Sequence, residues 1–231
     1  MRERPILFSG PMVRALLAGT KTQTRRIVKE PISAWLNNAN GSHKVLDGQV
    51  FNYSFEQHLG NCPYGQPGDR LWVRESFMDL RGTGVEHYDA DGRRQRYAFA
   101  ANSPLGSYSD ETRKDYGLKW KPSIHMPRHA CRLVLEITGV RVERLHQISE
   151  DDAVAEGIPE EVEPCDQCGG CGWLCIGGEP QQCDAPGCGD GAIDGYRALW
   201  EQINGAGSWA ANPWVWVVEF RVLGATDNKE Q

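Results

Sequence analysis

The sequence predicts an α+β fold, a small β-barrel with flanking short helices and one cysteine-rich insert. Three observations carry this expectation. Short runs in which apolar side chains alternate recur from one end of the chain to the other, and a few short segments with helical spacing lie between them. Residues 158–192 break the pattern and hold six of the eight cysteines.

"RPILF" reads as a first strand, and "PMVRALLAG" as a helix with Pro11 in its first turn, apolar Val13, Leu16 and Leu17, and Gly19 as its stop. "TQTRRIV" then alternates as a strand, with Thr22, Thr24 and Arg26 on one face and Gln23 and Arg25 on the other. "KVLDGQVF" predicts a hairpin about Asp47-Gly48. "QPGDRLWVRESF" is a turn into a strand that sets Leu71, Val73 and Glu75 opposite Trp72 and Arg74. Another hairpin closes at "DADG", and residues 102–121 read as a loop excursion. "ACRLVLEITGVRVERL" gives a strand interrupted at Gly139. Ser149 and Asp152 have capping-box spacing at the start of "ISEDDAVAEGI", a helix that Gly157 ends. Tyr196, Leu199, Trp200 and Ile203 share one face of a last helix, and "NPWVWVVEFRVL" is the closing strand.

A chain of 231 residues with 40% hydrophobic content and eight tryptophans is expected to form one domain, 1–231, that carries the 158–192 insert. No apolar run is long enough to cross a membrane and "MRERPILFSG" does not read as a signal peptide, so the expected setting is cytoplasmic with no membrane partner. The net charge of -6 disfavours association with bulk nucleic acid and leaves room for local contacts to a small or single-stranded piece.

The insert contains two glycine-rich turns, "CDQCGGCGW" and "CDAPGCGDG". Each offers a cysteine pair, Cys165 with Cys168 and Cys183 with Cys188, and two such turns complete a tetrahedral four-thiolate zinc site of the zinc-ribbon kind. Four thiolates leave no open position, so this zinc is expected to be structural. Cys171 and Cys175 are surplus and open as replacements for a ligand, while Cys62 and Cys131 stand apart.

The stretch "LLAGTKTQTRR" crowds polar and cationic residues at a helix exit. Gly19, Lys21, Thr24 and Arg26 in it resemble the glycine-lysine-arginine signature of ASCH domains, which are similar to the PUA-type RNA-binding barrel. "GDRLWVRESF", "LHQISEDDAVAEGI", "DGYRALW" and "NPWVWVVEF" extend the resemblance to phage and prophage members, with 30–65, 79–119 and 158–192 as additions. The resemblance implies a pocket near Lys21 for a nucleoside or a nucleotide of single-stranded RNA. It also implies a choice between two activities. Many ASCH domains have an acid where Thr24 stands, whereas the branch of amidohydrolases that deacylate N4-acetylcytidine has a threonine nucleophile. In that branch the lysine is the base and a glutamate at a helix end completes the set, the place of Glu156 here. The alternative is a non-catalytic PUA-like RNA-binding protein of phage origin.

The residues make chemical sense without the family. A threonine hydroxyl needs a neighbouring base, and a lysine serves once burial disfavours its charge. Arg26 is the candidate donor to an oxyanion, and Glu156 either orients Lys21 or passes a proton to the leaving amine. Glu75, His125 and Arg128 are the further candidates for substrate contact, and Arg25 and Arg128 for phosphate contact in RNA.

Overall fold

The computed structural model describes residues 1–29, 44–46, 49–51, 62–88, 91–103, 105–159, 173–176, 179–182 and 191–225. In chain order the elements are β1 (Glu3–Leu7), α1 (Gly10–Leu17), β2 (Gln23–Ile27), β3 (Lys44–Leu46), β4 (Gln49–Phe51), β5 (Arg70–Arg74), β6 (Phe77–Asp79), β7 (His87–Tyr88), β8 (Arg94–Gln95) and β9 (Tyr97–Phe99). There follow α2 (Tyr108–Asp115), β10 (Leu133–Arg144), α3 (Glu150–Ala155), β11 (Trp173–Ile176), β12 (Glu179–Gln182), α4 (Ala192–Asn204) and β13 (Trp214–Ala225). The chain is therefore α+β, as expected. No helix among the described residues is long and apolar enough to cross a membrane.

The chain divides into two compact units. The first comprises Met1–Gly19, Pro63–Thr138 and Phe220–Gln231, and the second Thr20–Cys62 and Gly139–Glu219. In the first unit β1 runs parallel to β5, with Pro5 opposite Trp72, and β5 pairs antiparallel with β10. Alternation along β5 works as the sequence implies: Leu71, Val73 and then Glu75 are buried, while Trp72 and Arg74 are half-buried. A second cluster joins Phe77, Tyr97, Phe99, Met126, Ala130, Cys131 and Val134.

In the second unit β2 pairs antiparallel with β13, placing Thr24 opposite Val218, Arg25 opposite Val217 and Arg26 opposite Trp216. Its core gathers Leu145 and Ile148, Ala153 of α3, Tyr196 and Trp200 of α4, and Val215 and Val217 of β13. Residues 215–218 are all buried, so both faces of β13 are covered there and the sequence reads as a continuous apolar run. The hairpin of β3 and β4 forms in the expected register, Val45 opposite Val50.

Three expectations need correction. In neither unit do the described strands close on themselves: the ladder is β1-β5-β10-β13 in the first and β10-β13-β2 in the second, open sheet where a small barrel was expected. The 102–121 excursion contains α2, whose Ser107 side chain accepts from the Asp110 amide and whose Asp110 is bound by Arg113 and Lys114. It lacks an apolar stripe and rests on capping and i,i+3/i,i+4 ion pairs, which apolar periodicity does not detect. Finally, β10 runs unbroken through Gly139, because the Glu219 carboxylate lies where a Cβ at that position would stand. The strand needs a missing side chain there, not a break.

Candidate functional site

Backbone geometry delivers Lys21 to its place. Gly19 adopts a left-handed φ of 76°, and its amide donates to Leu16 O while that of Ala18 donates to Arg14 O, closing α1. Immediately beyond, the Thr22 amide donates to Ala155 O at 2.8 Å, and Lys21 forms an isolated bridge with Glu156. Helix α3 is held at its start by Ser149, which accepts from the Asp152 amide, and is ended by Gly157 at φ 94°. Glu156 is thus the residue at which α3 stops, and Lys21 meets it there.

Lys21 is only 1% exposed, and its Nζ donates to both Glu156 Oε2 and Glu156 O at 2.7 Å. A cation on the last carbonyl of a helix is electrostatically well placed. Burial pulls the lysine pKa below its ordinary value; the Glu156 carboxylate opposes this, and the charges of Arg26 and Arg25 reinforce it. Lys21 therefore gives up its proton more readily than a surface lysine. Thr24 is 0% exposed and its Oγ1 has no hydrogen-bond partner. The Thr24 hydroxyl makes no hydrogen bond to Lys21.

The other face of β2 carries Arg25 into a cluster of buried charges. Arg25 is 2% exposed, and its Nη1 donates to Glu156 Oε1 at 3.3 Å. Its Nη2 donates to Glu143 Oε1 at 2.6 Å and Asp152 Oδ2 at 2.8 Å, and its Nε reaches Glu143 Oε1 at 3.2 Å. Arg141 closes the arrangement, donating to Asp152 Oδ1 at 2.8 Å, Glu143 Oε2 at 3.0 Å and Glu219. Gln23 adds hydrogen bonds to Asp152 O and Oδ1. Burial raises the Asp152 pKa, but the Gln23 hydrogen bond and the charges of Arg25 and Arg141 outweigh it and hold the carboxyl below its usual value. Over this network lies Tyr196, 5.9 Å from the Arg25 guanidinium, whose hydroxyl is pushed well above the ordinary tyrosine range by burial and by the Glu156 charge.

Arg25 was expected to touch RNA phosphate; its guanidinium is instead enclosed among carboxylates. The signal was present in the alternation that set Gln23 and Arg25 on one face, but the partners lie more than a hundred residues away in sequence. Arg26 is half-buried and donates to Arg25 O at 3.2 Å.

The remaining candidates belong to the first unit. Glu75 is 1% exposed and takes two hydrogen bonds from Arg132, at 2.8 and 2.9 Å, with that guanidinium 4.1 Å from the Phe99 ring centre. Exposed Arg128 pairs with Glu3 at 2.8 and 2.9 Å and lies 6.0 Å from the Trp72 ring centre, and His125 is exposed in a short 3-10 turn. So the structure brings Lys21, Glu156 and Arg25 together, keeps Thr24 and Arg26 on the same strand, and gives Glu75 and Arg128 partners of their own. Cys165, Cys168, Cys183 and Cys188 lie outside the described residues.

No family model and no curated protein matches this chain. Among solved structures, the ASCH domain from Lactobacillus crispatus JV V101 is similar over 96% of this chain and 80% of its own, with 12% identity and a TM-score of 0.34.

Proposed function

We propose that this chain is a PUA-like domain of the ASCH kind that binds a nucleoside, or a nucleotide within single-stranded RNA, and removes an N-acyl group from a modified cytosine. The reading rests on the motif residues Gly19, Lys21, Thr24 and Arg26, and one observation carries it: a lysine sealed from water, paired with Glu156, and shifted toward its neutral form. That is how a protein prepares a lysine for proton transfer. Thr24 Oγ1, uncommitted to any hydrogen bond, is the nucleophile. Its oxygen attacks the acyl carbonyl, its proton passes to Lys21, and Arg26 faces the developing oxyanion. The C–N bond then breaks, the exocyclic amine leaves with the proton from Lys21, and water hydrolyses the threonyl ester to release a carboxylic acid.

Incubation with a panel of N-acylated nucleosides including N4-acetylcytidine, followed by chromatography, tests this. Cytidine and acetate are the expected products, and a panel returned unchanged overturns the catalytic reading. Complete burial of Thr24 withholds its hydroxyl from attack and favours a second reading, in which the chain binds RNA without chemistry. That protein binds single-stranded RNA with an affinity that falls as salt rises, and Arg128→Ala weakens it.

We propose further that the 158–192 insert is stapled by a structural zinc on Cys165, Cys168, Cys183 and Cys188. The donor set of four thiolates suits zinc and supplies no open position for catalysis. Elemental analysis of freshly purified reduced protein is expected to return about one zinc per chain, and Cys168→Ser or Cys183→Ser to release it; zinc-free protein refutes the assignment.

A further inference from the structure

Glu156 has two carboxylate oxygens, and different cations hold them: Lys21 Nζ is 2.7 Å from Oε2, and Arg25 Nη1 is 3.3 Å from Oε1. The carboxylate cannot turn toward one partner without loosening the other. Arg25 in turn is not free to follow Glu156. Glu143 and Asp152 hold its Nη2 at 2.6 and 2.8 Å, and Arg141 also binds both of these carboxylates. The side chains of Arg25 and Lys21 are both fully enclosed, so little water screens this competition.

We infer that Arg25 is a positioning residue: it fixes Glu156 as a pure acceptor and, by engaging Oε1, limits the share of that carboxylate that Lys21 receives. The assignment rests on Lys21 being the working group of the site. It gives Glu156 an orienting role and leaves Lys21 as the carrier of the proton, because both Glu156 oxygens are engaged by cationic donors. Among the described residues, the charged and titratable groups around the pair include Arg25 and Arg26 from β2, Asp152 from α3, Glu143 and Arg141 from β10, and Tyr196 from α4. Removing the positive charge of Arg25 frees Glu156 for Lys21 and raises the lysine pKa. Weakening the carboxylates that occupy Arg25 has the opposite effect, since the guanidinium then leans harder on Glu156.

The opposite signs are the test. The full chain is labelled at lysine side chains, and the Lys21 titration is followed by NMR without substrate, its resonance assigned by its loss in Lys21→Met. Arg25→Gln is expected to move the Lys21 midpoint up, and Glu143→Gln and Asp152→Asn to move it down. Simple loosening admits water and moves all three up, so upward shifts throughout, or no shifts, overturn the inference. If Arg25→Gln does not fold, the downward shift in the two carboxylate variants still decides it. Because no turnover is measured, a chain that deacylates nothing leaves this result intact, and a failed titration leaves the hydrolysis assay standing.

Discussion

Thr24→Val is expected to lose turnover of an acylated nucleoside entirely while leaving the folded chain as stable as the parent or more so. The two effects share one cause. The Thr24 hydroxyl is buried with no hydrogen-bond partner, and an unsatisfied buried polar group costs roughly 1–3 kcal/mol. Valine fills nearly the same volume without that cost, but it carries no oxygen to form the acyl intermediate. Activity assay and thermal melting on one preparation check both halves. A variant that melts markedly lower shows that the hydroxyl has a structural partner, and one that keeps its rate removes Thr24 from the mechanism. The parent rate is expected to climb with pH as Lys21 loses its proton, with the climb below the ordinary lysine value because burial depresses that pKa. The same depression makes stability rise with pH between the folded and unfolded lysine values, where the unfolded chain binds more protons. Lys21→Arg, which stays protonated, is expected to be inactive.

Arg25→Ala is the substitution expected to harm the fold most. It removes the cation shared by Glu143, Asp152 and Glu156, whose side chains are 14%, 22% and 2% exposed. Breaking a buried ion pair from one side costs about 3–5 kcal/mol because uncompensated charge remains. Lys21 and Arg141 still face some of these carboxylates and keep the loss from being larger. Denaturant unfolding reads the difference as a lower midpoint, and lowering the pH is expected to narrow the gap as the stranded carboxyls take up protons. A midpoint unchanged from the parent refutes the structural importance of the network.

Local pattern made the scaffold of the site legible. Gly19 as a helix stop, Ser149 as a helix start and the alternation of "GDRLWVRE" are written in neighbouring residues, and each appears where expected. Glu156 was placed opposite Lys21 by resemblance, and the 2.7 Å contact agrees with that placement. The clamp around Arg25 was not legible, because its carboxylates come from β10 and α3 and nothing in the local sequence says which charges will face inward. Glu143 and Asp152 look like ordinary surface acids until the sheet carries them to the guanidinium. Helix α2 is hidden from apolar spacing for the opposite reason, since its stabilising contacts are local but polar.

The contact between Lys21 and Glu156 joins positions 135 residues apart. Contacts of such separation close a long loop and are characteristic of late, slow steps in folding. During synthesis Lys21 and Arg25 emerge well before α3, which supplies Asp152 and leads into Glu156. Nascent chains that stop short of Glu156 therefore carry Lys21 without the carboxylate that pairs with it in the folded chain. The altered chemistry of Lys21 is a property of the finished chain, acquired in the same step that assembles its carboxylate partners.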